Sequence, residues 1–351
     1  MSKIKKKRWL SAFLFGIAAS LFLVSGLYGI PAQAKQTDKS VTIVIDPGHG
    51  GVGGRNEGGI IGATKEKHAT LLTAQAMKQV LEQFEGVEVY LTRTQDMEVS
   101  LAQRAQTAKE RGADMLVSLH YNMSSGHDLY GTECWTSAFG TSYAAGQSFG
   151  RLWLKDMTAQ YGLHSRGTKV KLGSRGTDYY GVIREAHNRG IPCVILEHCY
   201  LDNPNDSAAA STPEQFVQMG VTDALSVAKY YRLKKSAALG IDYSGAVHEK
   251  VSAPAGGKAF PDQTPPVILS ANARRSGDSV QIGISAQDAE SGVRYFSYSV
   301  NGGVTWSPLQ RWAADGVNAS YTVPVPAGTD SVMVRVQNAY DLTADTVVQA
   351  G

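Results

Sequence analysis

The chain has 351 residues, of which 43% are hydrophobic and 19% charged, the balance of a soluble globular protein long enough for two domains. Its formal charge of +3 is concentrated in a head of five basic residues, Lys3, Lys5, Lys6, Lys7 and Arg8. Without them the charge falls from +3 to −2, so nothing points to nucleic acid. The three cysteines, Cys134, Cys193 and Cys199, are too few and too oddly numbered for a disulfide framework and wrongly spaced for a zinc knuckle. Free, partly buried thiols are expected, with one pair left open.

Behind the basic head, Trp9 to Ile30 is apolar and uncharged, and Pro31-Ala32-Gln33-Ala34 presents small residues where a signal peptidase reads. This predicts a secretory signal, residues 1–34, cleaved after Ala34. An uncleaved membrane anchor is the alternative, since the run is long enough to span. Residues 35–40 form a short segment before the first element.

Val41-Thr42-Ile43-Val44-Ile45 is β-branched and apolar, a buried strand that ends at Asp46-Pro47-Gly48. His49 follows it, flanked by glycines. Leu71, Leu72, Ala76, Val80, Leu81 and Phe84 recur at helical spacing, with Thr64-Lys65-Glu66-Lys67 at the helix head. Val87 to Arg93 alternates as a strand, Leu101 to Arg111 reads as a helix, and Asp114 to His120 as another buried strand. Pro192 to Glu197 is a later buried strand. Thr212-Pro213-Glu214 opens the last helix, with Thr212 as N-cap and Pro213 in the first turn. Such alternation predicts an α/β fold, a mostly parallel sheet covered by helices on both faces, over residues 41–234.

The texture then changes. Ser252 to Gly257 has linker composition, and residues 235–263 are assigned as linker. From Thr264 onward short alternating strands appear at residues 279–284, 295–300, 320–323 and 331–336, with Asn301-Gly302-Gly303 as a hairpin turn. Residues 264–351 are therefore expected to form a small all-β sandwich of immunoglobulin or fibronectin type.

The chemistry lies at one sheet edge. His49 and His120 follow buried strands of the same sheet, Glu66 opens the helix that starts at that edge, and Glu197 closes another buried strand. Ligands collect at the carboxyl ends of such strands. Two histidines and a carboxylate, with a position left for water, suit a catalytic zinc ion, and a carboxylate ending an apolar strand needs a partner or a cation. Each residue has a plainer reading taken singly: turn or strand-end histidines, a first-turn acid favoured by the helix dipole, half of an ion pair. Together they would have to share one edge by accident.

The run Asp46-Pro47-Gly48-His49-Gly50-Gly51, then Glu66-Lys67, Leu91-Thr92-Arg93, Ser118-Leu119-His120-Tyr121-Asn122 and Leu196-Glu197, resembles the zinc-dependent N-acetylmuramoyl-L-alanine amidases of bacterial cell walls. The resemblance covers residues 41 to about 234, in the family's order throughout. It implies Zn2+ held by His49, Glu66 and His120, with Glu197 as the catalytic residue. It also implies peptidoglycan as substrate and a secreted, wall-associated autolysin. Two departures stand out. Tyr121 occupies a position where the family has a small residue, and His198-Cys199-Tyr200 follows Glu197 where the family shows a small residue and Gly-Phe. His198 is expected on the other face of the sheet.

The resemblance implies amide hydrolysis between N-acetylmuramic acid and L-alanine by zinc-activated water, with Glu197 moving the protons. Two alternatives remain: a zinc-dependent muropeptide peptidase, and a catalytically silent wall-binding protein. Asp46, Arg93 and Asn122 are candidates to orient a ligand or meet substrate. For Asp46 a turn-stabilising role weighs equally, and for Arg93 a structural ion pair is the simpler role. Glu57, in the glycine-rich loop, is expected in solvent. His68, His127, His164, His187 and His248 are assigned to surface or packing. Trp306 and Trp312 are assigned to the sandwich core, and a cell-wall or protein partner for that region is left open.

Overall fold

The computed structural model describes residues 40–51, 56–313 and 316–351, so the proposed signal lies outside the described residues. Among the described residues no helix is long and apolar enough to cross a membrane.

Six strands form the first sheet: β1 (Val41–Pro47), β4 (Val87–Leu91), β5 (Met115–Asn122), β6 (Thr132–Thr136), β7 (Ser165–Val170) and β8 (Cys193–Tyr200). Their order is β4-β1-β5-β8-β6-β7. β4, β1, β5 and β8 are parallel to one another, while β6 runs antiparallel to β8 and parallel to β7. The sheet is thus mixed at the edge the sequence left unassigned.

Both faces are covered. Helices α1 (Glu66–Leu81), α3 (Gly140–Tyr161) and α6 (Pro213–Tyr231) bury Met77, Phe149, Trp153 and Phe216 against Ile43, Val117 and Leu196. Helices α2 (Leu101–Glu110) and α4 (Gly181–His187) place Ala105, Ala108, Val182 and Ile183 on the opposite face, against Val44, Leu116 and Ile195. The alternation along each strand sends successive side chains to the two layers. Ser100 and Thr212 cap α2 and α6 through reciprocal bonds with Gln103 and Gln215, and the short turn α5 (Pro204–Ser207) is capped by Asn203.

Helix α1 starts differently. Two-residue strands β2 (Ile60–Ile61) and β3 (Thr64–Lys65) pair immediately before it, and the carbonyls of Gly59 and Glu57 accept from the Glu66 and Lys67 amides. Loop backbone replaces the side-chain cap and fixes where Glu66 stands.

The carboxyl-terminal region forms two antiparallel sheets, β13-β10-β9 and β12-β11-β14-β15, built from β9 (Val267–Ser276), β10 (Ser279–Gln287), β11 (Val293–Ser299), β12 (Gln310–Arg311), β13 (Asn318–Pro324), β14 (Ser331–Asn338) and β15 (Thr343–Gln349). Ile282, Val323, Phe296, Val334 and Val348 from both sheets meet in one core. Trp312 belongs to it. Trp306 does not: it is half-exposed, with the Arg335 guanidinium 3.8 Å over its ring. Asn301 begins a wider loop than the Asn301-Gly302-Gly303 hairpin turn expected, since β11 next pairs at Gln310 and Arg311.

The stretch of linker composition is pinned rather than free. The Val251 amide donates to Ser148 Oγ, the Ala259 amide to the Ala138 carbonyl, and Lys258 Nζ to the Gly176 carbonyl. All three cysteines are free and buried.

Candidate metal centre and catalytic cleft

β1 ends in a turn that the rest of the sheet holds tightly. His49 adopts φ +61°, and Gly50 follows at +110°, so the chain passes through left-handed conformations beside the site. Gly48 is required by contact: a Cβ there would lie 2.3 Å from His120 Cε1. The absent side chain lets the turn lie against the imidazole.

His49, Glu66 and His120 converge, with one ligand atom from each inside a 4.8 Å cluster. Glu66 Oε1 lies 3.1 Å from His49 Nε2 and 3.1 Å from His120 Nδ1. The two rings stand edge to face, 4.9 Å between centroids. Ligand atoms of a tetrahedral zinc, each about 2.0–2.1 Å from the metal, lie roughly 3.3 Å apart, so this donor set fits such an ion. The remaining Glu66 oxygen accepts from the Gly59 amide at 2.8 Å, which orients the carboxylate from behind. Burial works to raise the Glu66 pKa, but hydrogen bonds from His120 and His49 outweigh it and hold the group well below the usual carboxylate range.

The supports of the cluster differ from the sequence expectations. Asp46 accepts from Arg104 Nη1 (2.5 Å), Ser118 Oγ (2.7 Å) and the Thr92 hydroxyl. Arg104 then reaches the His49 carbonyl with Nη2 at 2.7 Å, so Asp46 acts on the turn backbone through Arg104. The partner of the His49 ring is Asn56, whose Oδ1 lies 3.0 Å from Nδ1. Sequence reasoning missed Asn56; its one signal was a hydrogen-bonding side chain inside the glycine-rich loop.

Arg93 makes no ion pair among the described residues. It is buried and donates to the carbonyls of Pro47, Gly48, Gln95 and Lys67 and to Thr70 Oγ1, tying β1 to the start of α1. Glu57 is half-buried and paired with Lys65 at 2.7 Å instead of standing free in solvent. The other histidines pack or face solvent: His127 meets Asp202 at 2.7 Å, and His164 lies between Tyr130 and Tyr295.

His120 lies inside β5 and Glu197 inside β8, which continues to Tyr200, so neither ends its strand. They are register partners on adjacent parallel strands, just before a register shift in that ladder. Bulges next to functional groups re-aim side chains, and here the shift follows both residues. Glu197 Oε2 is buried and finds no hydrogen-bond partner among the described residues. Burial, reinforced by the charges of Glu66 and Glu133, pushes its pKa well above the ordinary carboxylate value.

Glu133 is the register partner of Glu197 on the other side, and sequence reasoning missed it as well. It is buried and accepts from Arg166 Nε (2.7 Å), Lys169 Nζ (2.6 Å), Asn122 Nδ2 (3.0 Å) and Trp135 Nε1 (3.1 Å). Asn122 is thereby placed on the cleft wall, held by Glu133. Burial raises the Glu133 pKa, but the two cations overcome this and bring it down to about 2.

The two departures from the family pattern form one packing unit. His198 turns into the opposite layer, where Tyr121 stacks on it at 4.8 Å. Asp223 Oδ2 lies 2.8 Å from His198 Nε2, and Asp223 Oδ1 accepts from Trp153 at 2.7 Å. Both substitutions are answered beneath the sheet, where His198 Nδ1 also lies 2.9 Å from the His120 carbonyl.

The family model for N-acetylmuramoyl-L-alanine amidase matches residues 43–229. The chain belongs to this family. Among its relatives, the amidase CwlM of Bacillus licheniformis is 30% identical over 199 residues, 56% of this chain and 72% of the relative. The sporulation-specific N-acetylmuramoyl-L-alanine amidase of Bacillus subtilis (strain 168) is 29% identical over 205 residues, 57% of this chain and 72% of that one. The catalytic domain of the amidase CwlV from Bacillus (Paenibacillus) polymyxa var. colistinus superposes with a TM-score of 0.44 at 29% identity, over 55% of this chain and 99% of that one. Membership makes the chain a peptidoglycan amidase with an α/β amidase fold, followed by an all-β region.

Proposed function

We propose that the chain is an exported, zinc-dependent enzyme that cleaves the amide bond between N-acetylmuramic acid and L-alanine. In this reading residues 41–234 form the catalytic domain, 235–263 a docked connector and 264–351 a β-sandwich domain. His49, Glu66 and His120 would hold the zinc ion. When bound, zinc supplies Lewis acidity toward the scissile carbonyl and brings the pKa of water toward about 7.

The protein's own groups do the rest. Asn56 and Arg104 set the His49 ring and backbone, and the Gly59 amide sets Glu66. Glu197, next to His120 in register, takes the proton of the attacking water on its carboxylate. It returns that proton to the nitrogen of L-alanine as the C–N bond breaks, leaving the lactyl carboxylate on the glycan and a free amine on the peptide. A raised pKa makes Glu197 a better acceptor in the first step and leaves a proton to give in the second.

The observation that carries this reading is the unpartnered, buried Glu197 oxygen beside a cluster built for one cation. The test is end-group analysis of digested peptidoglycan together with metal content. Amidase action exposes new L-alanine amino termini with about one zinc per chain. A peptidase would expose other termini, and a silent wall binder none.

A further inference from the structure

The row of cleft residues continues past Glu197 to the sandwich. Reading along the sheet, His120 on β5 is followed by Glu197 on β8, Glu133 on β6, then Arg166 and Lys169 on β7. With adjacent strands about 4.8 Å apart, the row extends roughly 10 Å beyond Glu197. It ends at the turn between β14 and β15, residues 339–342. A cleft of about 410 Å³ occupies this space, lined among others by Asn122, Tyr180, Glu197, Lys171, Tyr340 and Asp341. That volume falls in the range of small-ligand sites.

The turn is held in place with care. Asp341, at φ +65°, meets Arg166 Nη2 through both carboxylate oxygens at 2.9 and 3.0 Å. Lys169 Nζ donates to the Ala339 carbonyl at 3.0 Å. Tyr340 Oη accepts from the Val170 amide at 2.9 Å and lies 3.1 Å from the Val170 carbonyl. The Tyr340 ring stands edge-on to Trp135, with centroids 6.2 Å apart. A module serving only as a tethered wall anchor needs none of these contacts at the catalytic edge.

We propose that Tyr340 is a substrate-contacting residue supplied by the sandwich, and that Asp341 is a positioning residue acting through Arg166 on Glu133. The subsite they bound takes the stem peptide of a muropeptide. Two features favour the peptide over the glycan. The sandwich turn walls off this end of the row, which suits a chain that terminates; a glycan strand needs both ends open. Lys171, exposed at the rim, offers a cation to the free carboxylates that a stem carries. This inference rests on the amidase reading above.

The test uses the full chain and two soluble muropeptides with the same disaccharide, one with a four-residue stem and one trimmed to a dipeptide. Tyr340→Ala is expected to raise KM for the long stem about tenfold, with kcat within about twofold and the short-stem KM unchanged. Asp341→Asn, which keeps a residue tolerant of positive φ, is expected to raise the long-stem KM about threefold with kcat again preserved. It carries the test alone if Tyr340→Ala loses its cooperative melt. Gln281→Ala, at an exposed position of β10 on the other sheet of the sandwich, should leave both substrates unchanged. Wild-type KM values for both stems in folded variants would overturn the proposal. So would equal increases for both stems, or a dependence on glycan length instead. A wild-type protein that cleaves neither muropeptide would overturn the amidase reading itself, and this inference with it.

Discussion

His120 and Glu197 sit opposite each other in the β5–β8 ladder, one in the proposed cation cluster and the other with a buried, unpartnered oxygen. The ladder thus sets a separation of one strand spacing between the proposed metal ligand and the proposed proton carrier. Glu197→Gln should therefore keep zinc and lower kcat by about 10²- to 10⁴-fold, the usual span for a lost general acid–base. His49→Ala should lose both metal and turnover. Metal analysis and kinetics on the same preparations check this; full turnover by Glu197→Gln would end the assignment.

Asn56 orients His49 by meeting Nδ1 at 3.0 Å. Groups that orient metal-ligating histidines commonly change metal affinity by about 10- to 100-fold when removed. Asn56→Ala is expected to weaken zinc binding by that amount with little change in the thermal midpoint of the apoprotein. Competition titration against a chelator measures it.

Gly48 has no room for a side chain. A methyl group would meet His120 Cε1 at 2.3 Å, well inside contact distance. Gly48→Ala should push the imidazole out of the cluster and abolish tight zinc binding while the chain still folds. Retention of wild-type affinity would show that His120 is not needed in its observed position.

The Glu133 carboxylate neutralises two buried cations, Arg166 and Lys169. Glu133→Ala leaves Lys169 without its acidic partner and Arg166 with Asp341 alone, and should destabilise the protein by about 3–5 kcal/mol. Its folded pKa of about 2 lies below the ordinary 4.5, so the folded state binds fewer protons than the unfolded one across that interval. The stabilisation is fully present above pH 4.5 and is lost as the pH falls toward 2. Urea unfolding at a series of acid pH values should show the wild-type advantage over Glu133→Gln shrinking in this window, and not above it.

Much of this protein was legible from residues alone. β1, β5 and β8 are long apolar runs buried on both faces, and Glu66 heads an obviously periodic helix, so the edge where His49, Glu66, His120 and Glu197 meet could be read directly. β6 and β7 were not. Thr132–Thr136 and Ser165–Val170 mix polar and apolar residues because Glu133, Arg166 and Lys169 satisfy one another inside the fold. Such strands lack the alternation that marks a half-buried one.

The sequence by itself determined the strongly apolar and periodic elements of the first region and the residues that gather at one edge of its sheet, because hydrophobic period and turn chemistry are local. Only the tertiary structure decided what supports those residues. Arg104 reaches His49 across 55 positions, Arg166 reaches Asp341 across 175, and Tyr121 stacks on His198 from the neighbouring strand. Charge pairing and ring packing depend on distance in space, and no spacing along the chain encodes it.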